Sequence, residues 1–346
     1  MSSERNLLFF TRLSLTLVFV VIIAGSVVRI TGSGMGCPDW PFCFGYVIPP
    51  TNVEPLTFRE GRDFEKGQMV IDHDTLWVAT HDFKSGSTFS KYDWIKYPKH
   101  DYAVFNPVHT WIEYINRLAT GVLGLPILIM SILALINGRR TKNYWPLVFA
   151  FLTVFMIGFE AWLGKLVVDG NLKENSITLH MLGTMGIIAS LMGLLANFRN
   201  RISPGKSDKK IMWLVVALLL LTIMQIVMGT QVREEIDLIA RRNDVRSTWI
   251  EELPAIFKIH RSFAIAVTLI SIYLFMMHRK MNSGYREINW ILVMVFVEAL
   301  SGMVLSYLGM PAYIQPVHLV CAMILFALCL SWLLHWKLRS GAQSAA

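Results

Sequence analysis

Charge is scarce in this chain. Asp, Glu, Lys and Arg make up 16% of its 346 residues, against about a quarter in an average soluble domain. Acids are the scarcer sign, 24 Asp and Glu against 32 Lys and Arg, for a formal net charge of +8. Cysteine is sparse too: four residues, at 37, 43, 321 and 329, too few and too scattered for a disulfide-dense scaffold. The first apolar run lacks a small-residue cleavage site, so it reads as a helix and not as a removable signal.

Hydrocarbon is what the chain has in excess. Hydrophobic residues reach 54% and the mean hydropathy is +0.49. Eight apolar runs approach the roughly 20 residues that a bilayer-spanning helix needs: 8–30, 110–136, 144–168, 175–198, 211–232, 254–277, 288–309 and 313–336. The reading is an all-α polytopic membrane protein with eight transmembrane helices.

Basic side chains resist translocation, so the short connections rich in Lys and Arg orient the chain. Arg139, Arg140, Lys142, Arg199, Arg201, Lys206, Lys209, Lys210, Arg279, Lys280, Arg286, Lys337 and Arg339 share one side, which predicts that this side and both termini are cytoplasmic. The positive charge is thus a topology signal, with anionic membrane lipid as partner and no nucleic acid. The other side holds the long segment 31–107, an extracytoplasmic loop with no sustained helical period and at most a little β structure. Long loops in compact proteins are often functional, and a solvated insertion is the alternative.

The helices repeat. GSVVR at Gly25–Arg29 returns as GTQVR at Gly229–Arg233, an offset of 204. YINRL around Asn116 and Arg117 returns as KIHRS around His260 and Arg261, an offset of 144 that reflects the longer first loop. Glu160, Ala161, Gly164 and His180 match Glu298, Ala299, Gly302 and His318, all offset by 138. Three matches in one order indicate an internal duplication. The expected organisation is an N-terminal four-helix unit, 1–200, and a C-terminal one, 201–346, as two pseudo-symmetric bundles. Each copy has an even number of helices, so the copies lie parallel, unlike the inverted repeats of many transporters.

Three of the nine histidines stand apart. His73, His81 and His100 fall in the loop, and His278 and His335 at cytoplasmic helix ends, within reach of headgroups. His180, His260 and His318 each lie five or six residues inside the outer end of an apolar run, roughly 8 to 9 Å deep. Ionisable groups at such depth are costly and default to function; the alternative is a neutral His bonded to a neighbouring helix. Matching depth at repeat-related positions favours metal ligation.

Two His on the second and fourth helices of a four-helix unit converge from diagonal corners, which suits axial ligation of a haem iron. Zinc or copper would require further donors, and these two helices supply none near His260 and His318. Arg29, Arg117, Arg233 and Arg261 flank the layer at outer helix ends, where guanidinium forks suit haem propionates and interface snorkelling is the alternative. In the first unit the corresponding position is Asn116, a poor iron ligand. His109, Glu113 and Asn116 share a helix face, at about 0°, 40° and −20°, so His109 could substitute, or His180 could act alone.

The segments GSVVRITGSGMGCPDWPFCFG, WIEYINR and KIHRS, with His180 and His318, strongly resemble haem A synthase, the membrane enzyme that oxidises haem O to haem A for terminal oxidases. The likeness extends over all eight helices. It implies haem B as a cofactor between His260 and His318, with Arg233 and Arg261 toward its propionates. It implies haem O as substrate in the N-terminal unit, with His180 on its iron and Asn116, His109, Arg29 and Arg117 around it. The C8 methyl would be hydroxylated twice, the diol losing water to leave a formyl group. Glu113 matches the family's acidic residue on helix two, whereas Asn116 stands where the family has His. Beside a haem edge, Glu113 could take a proton or steady a developing cation; the alternative is an ion pair with Arg117 at i+4.

Cys37 and Cys43, six apart on the side where bacterial disulfides persist, are read as a disulfide, with two free thiols as the alternative. The resemblance gives it a redox or stabilising role. Cys321 and Cys329 lie about 12 Å apart along helix eight, too far to bridge, and read as core residues. Glu160 and Glu298 are read either as proton relays or, at least as readily, as interhelical hydrogen-bond partners. The location implied is the bacterial cytoplasmic membrane, with haem O synthase as upstream partner and a homo-oligomer among the options. The competing readings are a di-haem cytochrome that only passes electrons and a haem carrier.

Overall fold

The computed structural model describes residues 2–169, 176–198, 208–243 and 245–344. Arg199, Arg201 and Lys206, counted above among the cytoplasmic basic residues, lie outside them. Among the described residues eight helices are long and apolar enough to cross a membrane: α1 Ser2–Ile30, α2 Pro107–Thr141, α3 Trp145–Asp169, α4 Ser176–Ala196, α5 Lys209–Arg242, α6 Ala255–Lys280, α7 Arg286–Tyr307 and α8 Ile314–Ser344. The chain is a mostly helical, multi-pass membrane protein.

The structure departs from the sequence reading at helix ends. Helix α5 runs ten residues past position 232, to Arg242. Its extension is rich in charged residues, yet Val232, Ile236 and Ile239 recur at helical spacing and bury against Trp249, Leu253, Phe257, Leu305 and Met310. Residues 31–106 are not wholly irregular, and the loop makes the fold more than purely helical. It carries β1 Asp63–Phe64, β2 Met69–Asp72, β3 Thr75–Ala79, β4 Phe83–Lys84 and β5 Trp94–Lys96. β1 pairs with β4, and a three-stranded antiparallel sheet has the order β2-β3-β5, with Met69 opposite Val78 and Ala79 opposite Trp94.

By contact the chain divides into two compact units. One comprises Met1–Ile23, Leu123–Glu160 and Ile177–Ala346. In it α5 packs against α6 and α8, and α7 against α6 and α8, closing a four-helix ring in which α6 and α8 occupy opposite corners. A second apolar cluster there joins Leu7, Val18 and Ile22 to Leu123, Ile127, Met130, Ile188, Leu191, Met323 and Phe326. Hydrocarbon tails are as apolar as these side chains, so close packing holds the helices, not escape from water.

The other unit comprises Ala24–Val122 and Ala161–Ser176. Its loop portion has small cores of its own, one of Phe64, Val70, Ala79 and Trp94 with Phe58, Trp77, Phe83 and Phe89 around them. Phe89 stacks on Trp94 with ring centres 5.5 Å apart. A second core under the disulfide joins Cys37, Cys43 and Phe44 to Leu56, Met69, Leu76 and Tyr97. Each fully buried large side chain here stabilises by about 2 kcal/mol.

Candidate functional site

Pro254 precedes the first residue of α6 with extended ψ, so the helix starts there and carries His260 five residues in. Helix α8 starts at Ile314 and carries His318 four residues in; His180 lies four residues into α4. The three are thus slightly shallower than the apolar runs suggested, roughly 6 to 8 Å from their helix starts.

From opposite corners of the ring, His260 and His318 face each other with ring centres 6.4 Å apart and planes at 89°. Imidazole–metal bonds of about 2 Å on either side of an iron, plus roughly 1 Å from each nitrogen to its ring centre, call for about 6 Å. The spacing of the pair therefore suits bis-imidazole ligation. Among the described residues no three His, Cys, Asp or Glu cluster so as to enclose a metal ion.

The tautomer of His318 follows from its neighbours. Its Nδ1 lies 2.8 Å from Ser301 Oγ and 3.2 Å from Glu298 Oε2. The Ser301 hydroxyl already donates to the Glu298 carbonyl, so Nδ1 is the donor and Nε2 keeps its lone pair. His180 repeats the arrangement: Nδ1 is 2.5 Å from Glu160 Oε2. Each intramembrane carboxylate thus lies against Nδ1 of the histidine 20 residues on, Glu160 in an interhelical hydrogen bond and Glu298 in a 3.2 Å contact beside the Ser301 bond. A carboxylate on Nδ1 fixes the ring and leaves Nε2 for a ligand. His260 is held otherwise: Gln225 Nε2 donates to its carbonyl, and its buried Nδ1 has no hydrogen-bond partner among the described residues. A methyl at Gly229 would lie 3.4 Å from His260 Cε1, and one at Gly302 would lie 3.5 Å from His318 Cε1. Small residues on neighbouring helices leave both rings room.

The loop unit is built around Glu113. This buried carboxylate accepts from the Cys37 amide at 2.9 Å through Oε2, and from Arg117 through Oε1. The i+4 pair weighed in the sequence is present. The Arg117 guanidinium also donates to the carbonyls of Asp39, Phe42 and Cys37. All four hydrogens of its two terminal nitrogens are thereby engaged within the Cys37–Cys43 loop and Glu113. The disulfide is formed, while Cys321 and Cys329 are free, Cys329 fully buried.

The glycines of TGSGMGCPDWPFCFG have local causes. A Cβ on Gly36 would collide with the His109 carbonyl, because the loop passes directly over the start of α2. Gly45 has φ 79°, a left-handed conformation, and a Cβ there would collide with the Gly67 carbonyl. Asp39 turns the chain inside the loop, accepting from Phe44 N at 2.6 Å and Gly45 N at 2.9 Å. Burial raises its carboxyl above the usual value, opposed by the Gly45 and Phe44 amides and by Arg117. Thr110 Oγ1 donates to the Gly36 carbonyl and Tyr97 OH to the Pro38 carbonyl.

The remaining candidates are placed as follows. Asn116 has a buried Oδ1 without a partner, 3.8 Å from where a Cβ on Gly25 would lie; Gly25 thus flanks Asn116 as Gly229 flanks His260. His109 forms part of the first turn of α2, its amide bonded to Asn106 Oδ1. Arg29 ends α1. Arg233 bonds Gln315 Oε1 at 2.7 Å and Asp237 at 2.8 Å. Arg261 is exposed and lies over the Phe257 ring. Sequence reasoning missed Ser301, Gln225, Gln315 and Asp39. The first two have apolar counterparts, Leu163 and Val21, in the other copy, so the repeat carries no signal for them.

Comparison with known proteins agrees with this picture. The family profile COX15-CtaA, cytochrome oxidase assembly protein, matches residues 9–83 and 73–330. A Shewanella oneidensis protein named Heme A synthase is 26% identical over 226 residues, covering 65% of this chain and 56% of its own length. A Bartonella tribocorum protein of the same name is 22% identical over 361 residues, 96% of this chain and 91% of its own. A third, from Shouchella clausii, is 27% identical over 165 residues, 47% of this chain and 36% of its own. The matched region thus spans little more than half of the Shewanella relative.

Proposed function

The chain belongs to the COX15-CtaA family of cytochrome oxidase assembly proteins, and on that premise we propose that it is a haem A synthase, an oxidoreductase that converts haem O to haem A. The observation that carries the proposal is the opposed pair His260 and His318, 6.4 Å between ring centres, on a chain whose relatives bear that enzyme's name. Haem B, held by His260 and His318, would supply one-electron redox chemistry. The chain's own contribution there is alignment: Glu298 and Ser301 hold His318 Nδ1, Gln225 holds the His260 backbone, and Gly229 and Gly302 leave the rings space.

Haem O is the substrate of this reading. His180, aligned by Glu160, is assigned to its iron, and Asn116, His109 and Arg29 to its surroundings. The C8 methyl would be hydroxylated twice, each step taking an oxygen from water and releasing two electrons and two protons to an external acceptor, and the diol would lose water to give the formyl group. Glu113 is assigned as the catalytic acid residue. Both of its oxygens already accept hydrogen bonds, so an electrostatic role toward developing positive charge needs no rearrangement, whereas proton uptake would first have to break the pair with Arg117. Arg117 then serves the loop more than a propionate, while Arg233 and Arg261 remain assigned to the cofactor's propionates.

In this reading the two pseudo-symmetric halves, 1–200 and 201–346, hold substrate and cofactor respectively. The protein sits in the bacterial cytoplasmic membrane with both termini cytoplasmic, the orientation its basic connections favour, and haem O synthase supplies its substrate. The test is to express the chain with a haem O supply, extract the pigments and weigh them. Haem A in the wild type and its loss in Glu113→Ala are expected. Unaltered haem O in a well-expressed wild type would overturn the enzyme reading in favour of a cytochrome or carrier.

A further inference from the structure

At the end of the C-terminal ring opposite to the histidines, α6 turns into α7 through residues 281–285. The turn is tightly built: Asn282 and Gly284 take left-handed φ of 48° and 72°, Ser283 N donates to the His278 carbonyl, and Ser283 Oγ lies 2.5 Å from His278 Nδ1. Tyr285, 1% exposed, anchors it by packing its ring on Trp332, 5.1 Å between centres.

Beside this turn lies a cavity of about 380 Å³ lined by Arg279, Arg286, Asn282, Asn289, Tyr285, His278 and Gly284. No carboxylate lines it. Arg279 and Arg286 are both exposed, and neither guanidinium has a hydrogen bond or ion pair among the described residues. The nearest acid in sequence, Glu287, pairs instead with His335 at 3.0 Å. Two unpartnered guanidinium groups and two side-chain amides at one polar cavity suit a phosphate oxyanion.

The position decides the source of that phosphate. Arg279 and Lys280 end one membrane span and Arg286 begins the next, so the cavity lies at the boundary where lipid headgroups sit. The helix faces that carry the arginines continue toward the bilayer as exposed apolar residues. Met276 and Ile272 lie three and seven positions before Arg279, and Val293 and Phe296 lie four and seven after Asn289. We propose that this cavity binds the headgroup of an anionic phospholipid, phosphate against Arg279 and Arg286 and acyl chains along the two apolar stripes.

The full-length protein, purified in neutral detergent, is given phosphatidylglycerol or phosphatidylcholine, and retained lipid is counted by native mass spectrometry. Preferential retention of the anionic lipid is expected, weakened about five-fold for each arginine lost, so roughly twenty-five-fold in Arg279→Gln/Arg286→Gln. Asn289→Glu, which sets a carboxylate at the cavity and keeps both arginines, is expected to lose the preference as well. Both variants change exposed side chains, and an unaltered unfolding temperature without lipid verifies their fold. The proposal falls if the wild type retains both lipids equally, if both variants retain the anionic lipid as the wild type does, or if millimolar inorganic phosphate displaces it, which would mark a soluble-anion site.

Discussion

The amide of Cys37 donates a 2.9 Å hydrogen bond to Oε2 of Glu113, joining positions 76 residues apart. The acid proposed for catalysis is thus held by the loop that the Cys37–Cys43 disulfide closes. Replacing Cys43 by Ser releases that loop and one of the carboxylate's two anchors. A short closed loop contributes about 2 kcal/mol, so the expected outcome is a lower thermal midpoint together with reduced haem A yield. The low-spin spectrum of the cofactor site stays unchanged. Full yield in Cys43→Ser would separate the disulfide from Glu113.

Arg117 grips three carbonyls and Glu113 at once. Lysine keeps the charge but lacks the fork, so Arg117→Lys cannot satisfy the same acceptors. The expected cost is about 2 to 3 kcal/mol, one or two charge-assisted hydrogen bonds, read as a lowered midpoint of thermal unfolding.

The expected outcome of removing either opposed ring, in His260→Ala or His318→Ala, is loss of the low-spin haem spectrum. Glu298→Gln replaces the carboxyl group that lies 3.2 Å from His318 Nδ1 by an amide of the same size. Haem is retained, and the reduction potential rises by about 30 to 60 mV, because a less basic imidazole favours the oxidised iron less. An unmoved potential in a redox titration would show that Glu298 only positions the ring.

Two glycine substitutions give opposite expectations. At Gly36 a methyl runs into the His109 backbone, which cannot move without shifting α2, so Gly36→Ala costs about 2 kcal/mol or more and lowers expression of folded protein. At Gly229 a methyl meets His260 Cε1 at 3.4 Å, ordinary contact, so Gly229→Ala lowers the midpoint of thermal unfolding by little. Equal effects on that midpoint would count against the close approach at Gly36.

The spans were legible because a bilayer demands length and hydropathy, and a linear sequence displays both. The outer turns of α5 were not: VREEIDLIARR is helical through packing of one stripe on Trp249 and Phe257, which no hydropathy window records. The Glu113–Arg117 pair was readable from i+4 spacing, whereas the Cys37 amide, far away in sequence and without a side-chain signature, was not. Glu160 and His180 stand 20 apart, as do Glu298 and His318. That equality was in the sequence, but only the structure turns it into a carboxylate against Nδ1 in each copy. The five short strands hid because two to five residues are too few to display alternation.

Every grip on the stretch from Gly36 to Phe42 by Thr110, Glu113, Arg117 and Tyr97 falls on main-chain atoms. The side chains of Trp40 and Phe42, 38% and 47% exposed, take part in none of these contacts. The outward surface of this stretch can therefore be rewritten, toward bulk water, lipid or a neighbouring chain, while the carboxylate underneath keeps its place.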